Sequence, residues 1–153
     1  YIVKYHKAIV VDGVEVDDIV AQRMYDGFKS GQKIIGVSSD KDQAGQGYGW
    51  IYNPEKMDDA QNVSGLGELY IDDKDKVRGW GRKFLYLQFG MIGDPVDSYC
   101  PRDILVQLNG KKPTFGPKSA YKLLAECKTD AECLTACRDQ YIKWYGTEKF
   151  KYN

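Results

Sequence analysis

The chain has 153 residues, and its 22 basic and 22 acidic side chains give a formal net charge of zero. This length fits a single domain, and the balanced charge argues against a basic groove that tracks a phosphate backbone, and so against a nucleic-acid partner, as well as against a polybasic membrane anchor. No apolar run reaches the roughly 20 residues that a membrane-spanning helix requires. We therefore interpret residues 1–153 as one domain without a membrane span.

The N-terminal third predicts a hairpin followed by a helix. The first sixteen residues are rich in β-branched side chains and are interrupted by Asp12-Gly13, a dipeptide that favours a tight hairpin turn. Asp17 and Asp18 then suit the start of a helix, because acidic side chains complement the positive N-terminal end. Apolar residues recur at helical spacing up to Phe28, and Gly31 suits the end of the helix.

The middle of the chain predicts short strands. Ser38–Gly49 is polar and Gly-rich, which indicates a loop, and Asn53-Pro54-Glu55 suits a helix entry. Four segments are apolar and rich in β-branched or aromatic residues, which predicts strands: Lys33–Val37, Leu69–Ile71, Lys83–Phe89 and Ile104–Leu108. We expect Leu69–Ile71 and Lys83–Phe89 to pair with each other around the polar tip 72–75.

The C-terminal part predicts a helical hairpin over residues 118–146. Its cysteines, Cys127, Cys133 and Cys137, have the spacing C-x5-C-x3-C, which lacks the paired C-x2-C knuckles of a zinc site. Four cysteines in all favour disulfides, with Cys127 bridging to Cys133 or Cys137 across the turn. We therefore predict an α+β fold: a small mixed or antiparallel sheet with one early helix in residues 1–110, then a disulfide-stapled helical hairpin.

Two local patterns resemble known sites without completing them. The segment starting at Asp40-Lys41-Asp42 resembles the beginning of a calcium loop, but Ile51 stands where the closing Glu is needed, so no metal is predicted. Cys100 and His6 suggest a hydrolase dyad of thiol and imidazole, an alternative that the sequence around Cys100 does not support with any hydrolase signature.

A third pattern resembles a known family. Tyr5-His6 lies in the predicted first strand, Gly47–Glu55 is rich in glycine and aromatic residues, and Asp103 opens an apolar strand. In this order these features resemble the diphtheria-toxin and PARP-like ADP-ribosyltransferases. The chain departs from that family at Lys7-Ala8, where Gly-Thr is usual, and at Asp103, where most members have Glu.

The resemblance implies NAD as substrate and assigns roles to individual residues. His6, next to Tyr5, would hold the NAD ribose, and Tyr52 would stack on the nicotinamide with Gly49 and Trp50 beside it. Asp103 would stabilise the positive charge that develops at the anomeric carbon of the ribose.

The sequence thus favours a toxin-like effector that is an NAD-dependent ADP-ribosyltransferase or NAD glycohydrolase, acting on a protein acceptor and paired with a cognate inhibitor protein. The chain starts at Tyr1, which favours removal of a leader or excision from a longer protein, and hence secretion. The alternative from another class is a non-enzymatic secreted binding module, in which Trp50 and Trp80 contribute to an aromatic face for a sugar or a protein.

Overall fold

The computed structural model describes residues 5, 7–94, 99–102, 110 and 114–146, together with all side chains in these ranges except those of residues 41 and 42. Helices and two small sheets form an α+β fold, as the sequence predicts. In chain order the elements are α1 (Val16–Ser30), β1 (Ile35–Val37), a 3-10 helix (Lys41–Gly45), β2 (Trp50–Tyr52), β3 (Gln61–Asn62), β4 (Glu68–Ile71), β5 (Val77–Trp80), α2 (Gly81–Leu85), a π-helical segment (Tyr86–Ile92), α3 (Pro117–Leu124) and α4 (Asp130–Tyr145). None of these described helices combines the length and apolar character needed to cross a membrane.

The first sheet has the order β1-β2-β3, with β1 parallel to β2 and β3 antiparallel to β2. Helix α1 packs closely on one face of it: a Cβ added at Gly36 would lie 2.7 Å from the Met24 sulfur, and one added at Gly27 would lie 2.2 Å from Ile34 Cγ1. These two contacts show that α1 runs antiparallel to β1. The core between helix and sheet consists of buried Met24, Ile51 and Val63.

The second sheet is the antiparallel β4–β5 hairpin, which is followed directly by α2 and the π-helical segment. The prediction that Lys83–Phe89 is the partner strand of Leu69–Ile71 is wrong, because β5 is that partner. The apolar residues that follow β5 are spaced for a helix, since Phe84, Leu87 and Met91 recur three and four positions apart and are all buried. The described part of residues 1–110 therefore contains more helix than the sequence predicts.

The predicted helical hairpin is confirmed as α3 and α4. Thr129 begins α4 as its N-cap: the Thr129 hydroxyl accepts a hydrogen bond from the Glu132 N–H, and the Glu132 carboxylate accepts one from the Lys128 N–H. The predicted disulfide is wrong, because all four cysteines are free thiols. The Cys127 thiol instead donates a hydrogen bond to the Leu123 carbonyl oxygen at 3.4 Å, and Cys133 is fully buried as an apolar core residue.

The N-terminal hairpin and the Asn53 helix entry are also corrected. Within residues 7–15 the chain forms a bend at residues 12–14 and no strand, and Ile9 and Val10 are exposed. After β2 the Asn53 side chain accepts a hydrogen bond from the Glu55 N–H at 2.9 Å, which produces a turn instead of a helix. The predicted strand Ile104–Leu108 lies outside the described residues.

Candidate functional site

Two of the residues expected to act on NAD, His6 and Asp103, lie outside the described residues, so the convergence of His6, Tyr52 and Asp103 stays a prediction. Tyr5 is described and exposed. The Cys100–His6 dyad stays a prediction for the same reason; the Cys100 thiol donates to the Ile92 carbonyl oxygen at 3.8 Å.

The glycine- and aromatic-rich segment contains strand β2. Gly49 has a φ of +76°, and its N–H donates to the Ser64 hydroxyl at 2.9 Å. Trp50 and Tyr52 flank the buried Ile51 and therefore lie on the sheet face opposite α1, where both are half-buried. The Lys33 ammonium lies 3.9 Å from the centroid of the Trp50 ring. Trp50 and Tyr52 thus give this face of the sheet two aromatic side chains.

Metal ligands are not grouped in the described part of the chain. Among these residues no set of three or more His, Cys, Asp and Glu side chains lies close enough together to hold a metal ion.

A cationic cavity lies between the β4–β5 hairpin and the beginning of α3. Its volume is about 590 Å³, and three of its lining side chains, Lys76, Arg78 and Lys118, are positively charged. One lining residue, Asp75, is acidic, and two carry hydroxyl groups. The full lining is Asp75, Lys76, Val77, Arg78, Thr114, Gly116, Pro117, Lys118 and Ser119.

The wall formed by the hairpin is ordered by the Asp72 carboxylate. One carboxylate oxygen accepts hydrogen bonds from the backbone N–H groups of Lys76 (2.8 Å) and Lys74 (3.0 Å), and the other accepts from Arg78 Nε at 2.9 Å. These bonds, the one from the Lys76 N–H above all, hold the pKa of Asp72 below its usual value. The carboxylate stays ionised and keeps the Arg78 side chain beside the cavity, with four of its five N–H donors not used by Asp72.

The opposite wall is the N-terminus of α3. Pro117 is the first helical residue, and no side chain caps Gly116, whose carbonyl accepts from the N–H groups of Ser119 (2.9 Å) and Ala120 (3.0 Å). A helix N-terminus carries a partial positive charge and favours anions. The Lys118 ammonium forms an ion pair with the Asp75 carboxylate and so joins the two walls.

The helical hairpin is fixed to the rest of the domain by a bidentate ion pair. Arg82 Nε and Nη2 each donate to an oxygen of Asp130 at 2.8 Å, and the Tyr86 hydroxyl donates to the same carboxylate at 3.1 Å. Arg82 lowers the pKa of Asp130, while burial, followed by the hydrogen bond to Asp130, raises the pKa of Tyr86 to about 12. These contacts hold α4, and with it the hairpin, against the segment that follows β5.

The beginning of α1, at the carboxyl end of β1, carries exposed acidic side chains. Because Gly27 packs on Ile34 and Val20 on Gly36, the first turn of α1 lies beyond the carboxyl end of β1. Glu15, Asp17 and Asp18 are exposed there, and Asp40 follows β1 by three residues. The carboxyl ends of parallel strands are a common place for ligands in α/β sheets.

The sequence did not predict the cationic cavity or the position of the acidic residues at the carboxyl end of β1. It indicates Asp17 and Asp18 only as a helix start, and Asp40 as part of an incomplete calcium loop. The cavity unites residues about 40 positions apart, and the one local signal was Gly116-Pro117-Lys118 at the start of a helix. Comparison of the chain with protein-family models, with curated proteins and with solved structures finds no match.

Proposed function

We propose that this domain binds the phosphate backbone of a nucleic acid through the cavity between the β4–β5 hairpin and α3. The observation that carries this proposal is the meeting of Lys76, Arg78 and Lys118 with an uncapped helix N-terminus around one opening. Phosphate oxygens are bound by ammonium and guanidinium ions, by hydroxyls and by backbone N–H groups. At the N-terminus of α3 Pro117 has no N–H and the Ser119 N–H donates to Gly116, so the side chains provide most of the donors.

A chain of phosphates suits this surface better than a single phosphate does. Lys122 lies four residues after Lys118, on the same face of α3, and both are exposed. The cationic groups thus extend from the hairpin over the cavity and along the helix. The balanced net charge of the chain argues against a nucleic-acid partner, and the proposal departs from that expectation because Lys76, Arg78 and Lys118 lie together at one opening.

The direct test is fluorescence anisotropy with labelled single-stranded and duplex oligonucleotides at low salt. We expect Lys118→Gln to weaken binding to all sequences alike, because a phosphate contact carries no base information. Lys56→Gln, which changes another exposed lysine, in the turn after β2, is the matched control. The proposal fails if the wild-type protein does not bind, or if both variants bind as the wild type does.

The NAD-dependent transferase also remains a proposal, supported by the half-buried Trp50 and Tyr52 on the sheet face opposite α1. It predicts release of nicotinamide from NAD without added metal, and Asp103→Asn should reduce turnover far more than NAD affinity. The absence of nicotinamide release would exclude it while leaving the nucleic-acid proposal untouched. Secretion, a protein acceptor and an inhibitor partner remain predictions attached to this proposal.

A further inference from the structure

Within the residues that the structure describes, strand β1 has an open hydrogen-bonding edge. Its bonds to β2 use the Ile34 carbonyl, which accepts from Trp50 N at 3.1 Å, and the Ser38 N–H, which donates to Tyr52 O at 3.1 Å. Because alternate residues of a parallel strand bond to the same neighbour, the N–H and C=O groups of Ile35 and Val37 point away from β2. No described strand pairs with β1 on that side.

The side chains of this edge are apolar and exposed. Gly36 faces α1, so Ile35 and Val37 lie on the opposite face, where they are 42% and 66% exposed. Their cross-strand neighbours on that face are Trp50 and Tyr52. Edge strands are commonly protected by short length, a lysine, a proline or a bulge; β1 is short, with three residues, but its Ile-Gly-Val sequence has neither lysine nor proline.

We propose that this edge binds an extended apolar peptide strand, which adds to the sheet beside β1. The outward backbone groups require partners at the spacing of a strand, and a helix cannot supply these, since its own backbone groups are bonded internally. Charge sets the direction of the strand. Lys33 lies just before β1, and the exposed Asp17 and Asp18 lie beyond its end. A parallel strand with an acidic first residue and a basic last residue complements both.

The test uses a fluorescein-labelled peptide of sequence Glu-Val-Thr-Val-Thr-Val-Lys. We expect it to bind and to slow hydrogen exchange at the Ile35 and Val37 amides, measured by NMR. Val37→Pro removes an N–H that points outward and leaves the bonds to β2 in place. It should weaken peptide binding at least tenfold, whereas Val37→Thr, which keeps the N–H and the branched shape, should change it less than twofold.

A second perturbation covers the case in which Val37→Pro does not fold, as judged by circular dichroism. The same peptide N-methylated at alternate residues loses the donors on one edge, so one of its two methylation registers should no longer bind to the wild-type protein. Equal binding by both registers, equal binding by a folded Val37→Pro, or absence of amide protection would overturn the proposal. Dimerisation seen in sedimentation and abolished by Val37→Pro would also overturn it, in favour of a second copy at this edge.

Discussion

Replacing Asp130 by Ala should destabilise the domain substantially, because this carboxylate joins the helical hairpin to the segment after β5. It accepts two hydrogen bonds from Arg82 and one from Tyr86, and it lies in the first turn of α4. The side chains of Arg82 and Asp130 are 25% and 39% exposed, so water weakens the ion pair without replacing it.

The magnitude follows from these contacts. Hydrogen bonds to charged groups contribute about 1.5–3 kcal/mol each when buried, and partial exposure lowers the Arg82 pair to about 2 kcal/mol in all. An acidic side chain at a helix N-terminus adds about 0.5 kcal/mol. The expected loss in the free energy of unfolding is therefore about 2–3 kcal/mol, equivalent to a fall in Tm of roughly 5–10 °C for a chain of this size.

Urea unfolding followed by circular dichroism measures this loss, with Asp139→Ala as the matched control. Asp139 lies on the same helix and pairs with Arg138 at 2.8 Å, but both side chains are about half exposed. Its replacement should cost less than about 0.5 kcal/mol. Equal losses in the two variants would refute the reasoning, because they would show that the bidentate geometry and partial burial of Asp130 contribute nothing.

The same variant gives a pH test. Arg82 lowers the pKa of Asp130 in the folded protein, so the stabilisation is complete above the ordinary carboxyl pKa and is lost as the pH falls through the folded value. The stability difference between wild type and Asp130→Ala should therefore be constant near neutrality and shrink below a pH of about 4. A difference that grows on acidification would contradict this assignment.

Three further predictions concern other parts of the molecule. Lys76→Gln should reduce the slope of log affinity against log salt by about 0.9 for duplex DNA, and an unchanged slope would remove Lys76 from the phosphate contacts. Gly67→Ala should lower the free energy of unfolding by about 2–4 kcal/mol, because a Cβ there would lie 1.9 Å from the Trp80 carbonyl oxygen. Gly13 has a similar positive φ but open space around it, so Gly13→Ala should lower it by about 1 kcal/mol. Thiol titration in denaturant without reductant should count four thiols, and a count below four would show that a disulfide exists after all. In the native protein Cys133 and Cys137 should react last, because burial raises their pKa values to about 12 and about 11.

The sequence predicted those elements whose local signals and packing agree. Helix α1 has acidic residues in its first turn, apolar residues at helical spacing, and Gly31 with a φ of +71° at its end. The α3–α4 hairpin was equally evident, from apolar residues that recur on one face of each helix. In both regions the residues that start and stop a helix lie next to its ends in the sequence, so they can be read without knowledge of tertiary contacts.

The incorrect predictions concern segments whose structure depends on contacts with residues distant in the sequence. Lys83–Phe89 contains aromatic and apolar residues typical of a strand, and only the burial of Phe84, Leu87 and Met91 on one face makes it helical. The spacing of the cysteines is typical of disulfides, but the Cys127 thiol donates a hydrogen bond to the Leu123 carbonyl oxygen instead. The cationic cavity was not predicted because Arg78 and Lys118 meet only after the hairpin and α3 pack together.

The contact of Lys83 with α3 has an electrostatic consequence for the cavity. Lys83 is 6% exposed, and its ammonium donates at 2.7 Å to the carbonyl of Ala125, the residue that ends α3. A cation there neutralises the negative pole of the helix, while the positive pole at Gly116 opens on the cavity without a capping side chain. The two ends of α3 therefore differ: a buried ammonium compensates the carboxyl end, whereas the N-terminal end has no side-chain cap.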